Sequence, residues 1–247
     1  MTHLTVEEKK ENLDKFYNLL ADCLQSLPHD SAALILPAMV LLGEGNPLTP
    51  DRLAEAQGIS EEEGREFFSL LKEQGFGEFD KQGRLVGLGG LSVTPTRHRL
   101  QVGNRTLYGW CALDTLYLPA YLKQSAEVVS QCPVSKQAIR LSVTPVGVAK
   151  ADPPDVFLSL VGPGFGLEEG CCSDKTSFVG TGGSLCGHIH FLASREAAET
   201  WLVRNPRVQI LSLKEADDFA GRLRDILFDS EQKKKISGGG CNDCSIE

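Results

Sequence analysis

The stretch from Tyr108 to Thr115 constrains the fold most, because a strand-like run gives way there to a helix-like run. It places a thiol, Cys111, three residues before a carboxylate, Asp114. Side chains at this spacing share one face of a helix. Unpaired N–H groups in a first helical turn favour a thiolate, whereas a nearby carboxylate opposes a second negative charge. We predict that Cys111 and Asp114 share one proton and bind a soft metal; a buried structural cysteine beside a first-turn aspartate is the simpler alternative.

The composition indicates a soluble globular protein with cysteines in a reducing compartment. Its 247 residues suffice for one large domain, or for a small domain plus a medium one. The net charge of −8 argues against nucleic acid or an anionic membrane as a partner. No secretory signal is visible, and the longest apolar run, 32–42, is too short to span a bilayer. We therefore expect a cytoplasmic protein whose eight cysteines serve metal or redox chemistry rather than disulfides.

The N-terminal region, 1–95, is predicted to be helical and winged-helix-like. Apolar spacing predicts helices over 5–27 and 32–42, and helix-start signals follow at Thr49 and Ser60. A hairpin comes next, which completes the helix, helix, helix, hairpin order of a winged helix. The third of these helices would enter the DNA groove in a winged-helix protein. Here it begins with three glutamates that would repel phosphate, so we interpret the module as structural.

The second region, 96–230, is predicted to be a catalytic α/β core. The predicted fold class is α+β, with the N-terminal helical region followed by a mixed or antiparallel sheet flanked by helices. The helix containing Cys111 is expected to stop near Pro119, and capping signals at Ser194 and Ser212 predict two further helices. Alternating patterns predict a hairpin over 97–108 and strands over 127–130, 138–143, 156–161, 185–191 and 208–211.

Two stretches are predicted to be irregular, and each contains a pair of cysteines. Residues 162–184 are rich in glycine and polar residues, include Cys171-Cys172, and predict a mobile loop. Residues 231–247 predict a flexible tail with the motif Cys241-x-x-Cys244. We hypothesise that the tail thiols help to take a bound soft metal off the active-site thiols. An oxidisable tail without that role is the alternative.

Three motifs together resemble the organomercurial (alkylmercury) lyases. They are Tyr-Gly-Trp-Cys-Ala-Leu-Asp-Thr at 108–115, Ser-Gln-Cys at 130–132 and Cys-Gly-His-Ile-His-Phe at 186–191. Their order and approximate spacing match that family, from the hairpin to the last helix. The resemblance implies an enzyme that breaks carbon–mercury bonds by protonolysis, giving a hydrocarbon and Hg(II) without an organic cofactor. It further implies an organomercurial substrate, low-molecular-weight thiols for turnover, and mercuric reductase as a candidate acceptor of Hg(II).

The resemblance also assigns roles to single residues. Cys111 and Cys186 correspond to the two metal-binding cysteines, Asp114 to the proton-handling aspartate, and Cys132 to a cysteine usually regarded as structural. All three active-site residues are candidate mercury ligands. Many relatives have Cys-Cys where this chain has Cys186-Gly187, and the loop before it looks longer than usual. The second ligand is therefore either Cys186 or a loop cysteine, and we favour Cys186 because the residues after it fit the motif.

The chemistry of these residue types agrees with that assignment. Thiolates are the natural ligands of soft cations, so Cys111 would capture the mercury and a second thiolate would weaken the bond to carbon. Asp114 would then protonate the leaving carbon as a general acid. Trp110, Tyr108 and Tyr117 are predicted to wall a dry pocket for the organic group.

Other functions are compatible with parts of the sequence. A metal-responsive winged-helix transcriptional regulator would explain the helical region and the cysteines, but not the acidic third helix. A hydrolase with Cys111 as nucleophile and His188 as base lacks an oxyanion-loop signature. A structural zinc site usually needs four closed ligands, often in paired knuckles, and only one Cys-x-x-Cys is present. His188 and His190 are predicted to share a strand face, where packing is the simpler role.

Overall fold

The computed structural model describes residues 4–25, 27–162 and 185–237. Helices occupy both ends of this part of the chain and also connect its strands, which gives an α+β fold. Its α-helices are α1 (Val6–Gln25), α2 (His29–Leu42), α3 (Pro50–Gln57), α4 (Glu61–Gln74), α5 (Asp114–Tyr121), α6 (Arg195–Arg204) and α7 (Leu213–Ser237). None of the helices described is both long enough and apolar enough to cross a bilayer.

The strands form one large sheet and one small sheet. They are β1 (Gly77–Phe79), β2 (Leu85–Leu88), β3 (Leu91–Ser92), β4 (His98–Val102), β5 (Arg105–Gly109), β6 (Ala126–Gln131), β7 (Ala138–Thr144), β8 (Gly147–Asp152), β9 (Phe157–Val161), β10 (Phe191–Leu192) and β11 (Val208–Ser212). The large sheet has the order β1-β2-β3-β5-β4-β6-β7-β8, and β9 lies between β10 and β11 in the small one. Every neighbouring pair is antiparallel.

The helix α5 is fixed at the centre of the molecule by its apolar side chains. Leu116 and Leu118 are fully buried, and each contributes roughly 1.5–3 kcal/mol through the area it removes from water. The hydroxyl of Tyr121 donates a 2.7 Å hydrogen bond to the carbonyl of Leu223 in α7. The strand β5 leads directly into the turn before α5. The turn is therefore held between a sheet and a buried helix, which limits its freedom to move.

Local capping signals predicted four helix starts correctly. Thr49 accepts a hydrogen bond from the N–H of Arg52, and Ser60 forms a reciprocal capping box with Glu63. Ser194 caps α6, and Ser212 exchanges hydrogen bonds with Glu215 at the start of α7. The hairpin formed by β4 and β5 also matches its prediction. The winged-helix likeness of the first region stays a prediction, as does the division of the chain into two domains and a tail.

Several predicted boundaries were wrong. The helix α5 begins at Asp114, so Cys111 precedes it, whereas its end at Tyr121 agrees with the predicted stop near Pro119. The stretch after Leu185 is a 3₁₀ turn, Cys186–His188, with strand pairing only from Phe191. The edge strand β8 was missed because only one of its six residues is buried and it lacks an apolar alternation. The last helix extends to Ser237 rather than Phe228.

Candidate active site

Cys111 lies in the turn between β5 and α5, and two backbone N–H groups of this turn donate hydrogen bonds that hold it. The N–H of Trp110 donates to the carbonyl of Gly90 at 2.9 Å. The N–H of Cys111 donates to Oδ2 of Asp114 at 2.6 Å. The Asp114 carboxylate thus accepts from the N–H of Cys111, as a capping side chain accepts from a backbone N–H at a helix start. The pair is close in space without sharing a helical turn.

The second carboxylate oxygen of Asp114 is held by Tyr117. The Tyr117 hydroxyl donates to Oδ1 at 2.7 Å. Gly90 packs against the same carboxyl with a φ of +88°, and a Cβ atom there would lie 2.7 Å from Oδ1. Glycine is therefore required at this position both for its backbone conformation and for space. Each oxygen of Asp114 has a defined partner, so the orientation of the carboxyl is fixed.

Cys186 reaches the same site from a segment much later in the chain. The 3₁₀ turn that contains it is anchored where the N–H of Ala112 donates to the carbonyl of Ile189 at 3.2 Å. A second anchor is the Ser159 hydroxyl, which donates to the carbonyl of His188 at 2.7 Å. Ligand atoms of Cys111, Asp114 and Cys186 all lie within 4.8 Å of one another. Two thiols and one carboxyl therefore converge on a single point.

Burial decides the protonation states of Cys111 and Asp114. It raises the pKa of the Cys111 thiol well above its ordinary value, and the neighbouring Cys186 and Asp114 raise it further. Burial also raises the pKa of Asp114 to about 6, although hydrogen bonds from Tyr117 and Cys111 oppose it. Near pH 7 Cys111 is consequently a neutral thiol and Asp114 mostly a carboxylate. The expectation that helix N–H groups would favour the Cys111 thiolate was wrong, because Cys111 lies before the helix and is buried.

The three groups face an apolar cavity of about 160 Å³. Trp110 and Tyr117 line it, as predicted, whereas Tyr108 is not among the described lining residues. Sequence reasoning missed most of the wall, which also includes Phe16, Ile35, Leu113, Tyr121, Leu185 and Ile189. These side chains come from elements far apart in sequence, so no local pattern reveals that they meet. The cavity suits a hydrocarbon group and excludes most water from the carboxyl.

Comparison with known proteins places this geometry in a family. The family model described as alkylmercury lyase matches residues 91–225. This chain belongs to the alkylmercury lyase family. The alkylmercury lyase of Bacillus cereus is 33% identical to it over 209 residues, covering 85% of this chain and 87% of the relative. The alkylmercury lyase of Pseudomonas putida is 32% identical over 189 residues, covering 76% and 82%.

A solved member of the alkylmercury lyase family has the same fold. The crystal structure of the mercury-bound form of MerB2 superposes on this chain with a TM-score of 0.68 and 27% sequence identity. The match covers 88% of this chain and 99% of that one. The expected fold class and family are thereby confirmed.

His188 and His190 do not lie on one strand face, although their spacing in the sequence predicted this. His188 ends the 3₁₀ turn, so it does not share a strand face with His190. His190 is buried, and its Nε2 lies 2.8 Å from the carbonyl oxygen of Gly187. The side chains that act on the pKa of the Cys111 thiol are Asp114 and Cys186, whereas a cysteine hydrolase needs a histidine in that position.

Cys132 lies apart from the three active-site groups. It is fully buried, and its sulfur accepts a 3.5 Å hydrogen bond from the N–H of Ser135 in the turn between β6 and β7. The pKa of its thiol is lowered overall. Burial alone would raise it, but this hydrogen bond and others outweigh that effect. The remaining cysteine pairs, Cys171-Cys172 and Cys241-x-x-Cys244, lie outside the described residues.

Cys132→Ser should lower stability and leave chemistry nearly unchanged. A serine hydroxyl is smaller and more polar than the thiol, so it leaves space in the buried site and reaches its N–H donors less well, at a cost of roughly 1–3 kcal/mol. We expect a lower melting temperature together with normal hydrocarbon release from an organomercurial. An unchanged melting temperature with lost turnover would instead assign Cys132 to the chemistry.

The stability of Asp114→Asn relative to the native chain should increase as the pH rises from about 4 to 7. The folded-state pKa is about 6 rather than 3.8. A carboxyl with a raised folded pKa contributes stability at low pH and loses it as the pH rises through the folded value. The difference between the folded and unfolded pKa values corresponds to about 3 kcal/mol in the free energy of unfolding. Urea unfolding of both proteins at several pH values measures it, and parallel pH curves for the two proteins would contradict the raised pKa.

Proposed function

We propose that this chain cleaves the carbon–mercury bond of organomercurials by protonolysis at Cys111, Asp114 and Cys186. The observation that supports this most strongly is the convergence of two thiols and one carboxyl within 4.8 Å at the wall of an apolar cavity. Soft cations prefer thiolates, and protonation of carbon requires an acid held beside them. The family membership supplies the activity, and the geometry suggests which residue performs each step.

The first step is capture of the organomercurial by the buried thiol. Cys111 gives up its proton to Asp114, its sulfur bonds to mercury, and the previous ligand of mercury departs. A carboxylate with a pKa near 6 accepts a proton readily at neutral pH and returns it readily. The stored proton stays near the mercury, because the apolar cavity keeps it from bulk water.

The second step is transfer of that proton to carbon. Cys186 adds a second thiolate to the mercury, and its proton passes to the ligand released in the first step or to solvent water. The added electron density weakens the bond from mercury to carbon. Asp114 then protonates the carbon, the hydrocarbon leaves, and Hg(II) remains on two thiolates. Tyr117 keeps Oδ1 of Asp114 aimed during this exchange through its 2.7 Å hydrogen bond.

Turnover then requires removal of Hg(II), which defines the partners. We propose that low-molecular-weight thiols take up the metal, that mercuric reductase is its acceptor, and that no organic cofactor takes part. A reducing cytoplasm suits this chemistry, because Cys111, Cys132 and Cys186 are free thiols. In this scheme the mercury is substrate and product rather than a resident metal.

A turnover assay tests the proposal. The protein is mixed with an aryl mercurial and excess small thiol, and the arene is measured in the headspace over time. We expect many arene molecules per protein molecule. Absence of arene, combined with a shift of promoter DNA in a gel, would favour the regulator instead. That outcome would need DNA to approach α4, which begins with Glu61, Glu62 and Glu63.

A further inference from the structure

A second cavity, of about 410 Å³, adjoins the active site. Cys186 and Trp110 border both cavities, whereas Cys111 and Asp114 border only the apolar one. The indole N–H of Trp110 donates to Glu78 at 3.0 Å, which holds the ring as a partition. Cys186 thus lies where the two cavities meet, so a molecule in the second cavity lies beside this residue without occupying the apolar cavity.

The second cavity is polar and carries positive charge. Among the described residues that line it, Arg97 is the one with a full charge at neutral pH. His98 and His190 also line it, but burial lowers their pKa values to about 3 and 4, so both are neutral. Arg97 is exposed and makes no ion pair with another described residue. Its guanidinium is therefore the cationic group that the described part of the chain offers to an anion in the cavity.

The backbone on both sides of Arg97 is held by hydrogen bonds, which fixes where this side chain leaves the chain. The hydroxyl of Thr96 donates to the carbonyl of Gly109 at 2.6 Å and accepts from the N–H of His98 at 3.0 Å. Nδ1 of His98 lies 2.8 Å from the hydroxyl of Ser130. The segment before β4 is therefore tied to β5 and β6, next to the turn that carries Cys186.

We infer that this second cavity binds the small thiol that removes Hg(II), and that Arg97 selects thiols carrying a carboxylate. The inference rests on the proposed function and adds a binding site to it. The thiolate attacks mercury on the side of Cys186, a sulfur–mercury bond forms, and the bond from mercury to Cys186 breaks. A second thiol displaces Cys111. The two thiol protons pass to the two cysteines, and mercury remains Hg(II) throughout.

The test follows release of mercury from preloaded protein. One equivalent of HgCl₂ is added, the protein is desalted, and excess mercaptoacetate, 2-mercaptoethanol or cysteamine is mixed in. Protein-bound mercury is then measured over time for the native chain, Arg97→Gln and Arg99→Gln. Arg99 is the matched control, because it is an exposed arginine on the adjoining strand β4 that does not line the cavity. Comparing each thiol with itself across variants cancels its intrinsic reactivity.

We expect Arg97→Gln to slow release by mercaptoacetate about threefold to fivefold, the effect of one exposed ion pair. Release by the neutral and cationic thiols should not slow, and Arg99→Gln should match the native chain. Equal rates for Arg97→Gln and the native chain, or equal slowing with all three thiols, would overturn the inference alone. Failure of the native chain to retain one mercury after desalting would overturn the proposed function as well.

Discussion

Cys111→Ala and Cys186→Ala each abolish turnover of an organomercurial and leave the fold intact. Mercury needs both thiolates, one to capture it and one to weaken its bond to carbon. Loss of a residue that merely supports a metal ligand lowers affinity or activity by about 10–100-fold. Removal of a ligand itself should therefore exceed about a hundredfold. Arene release and the melting temperature, measured on both variants, check the two halves of this prediction.

Cys132→Ser is the matched control for these substitutions, since it also removes one free thiol. It should retain turnover, although it is expected to melt at a lower temperature. Full activity of Cys186→Ala would contradict the present assignment and transfer the second role to Cys171 or Cys172. A folded Cys111→Ala protein that still turned over would remove Cys111 from the chemistry.

Asp114→Asn separates protonolysis from simple mercury binding. Asparagine keeps the size and polarity of aspartate but cannot carry its proton. The variant should still retain an organomercurial through Cys111, and it should release hydrocarbon at least about a hundredfold more slowly. If Asp114 only capped the turn, its loss would affect stability by roughly 0.5–2 kcal/mol and the rate hardly at all.

Two measurements on this variant decide the role of Asp114. They are mercury retained after desalting and hydrocarbon released over time. Retention with near-normal release would remove the carboxyl from the chemistry. Loss of retention would make Asp114 a ligand or an organiser of the site rather than the acid. The melting temperature of the same variant separates slow release from unfolding.

The sequence predicted what depends on neighbours a few residues away. Thr49 and Ser60 bond to N–H groups three residues on, so their capping signals are visible in the chain itself. The spacing of Cys111 and Asp114 likewise identified a true pair. Its geometry differs from the prediction, because the carboxylate caps the N–H of Cys111 from the start of α5 instead of sharing a helical face with it.

The sequence could not predict what depends on tertiary contacts. Residues 185–191 alternate as a strand does, but Ser159 bonds to the carbonyl of His188 and the N–H of His190, which occupies backbone groups that a strand ladder would use. The wall of the apolar cavity and the approach of Arg97 to Cys186 both require the folded chain. The pKa values of Cys111 and Asp114 follow from burial, which spacing alone does not reveal.

A single-turnover reaction in D₂O tests the central claim most directly. The native protein is mixed with less than one equivalent of phenylmercury, without added thiol, and the benzene is analysed by mass spectrometry. The account predicts one monodeuterated benzene for each phenylmercury bound, with the mercury retained on the protein. Phenylmercury that remains bound to the cysteines, with no benzene released, would contradict it.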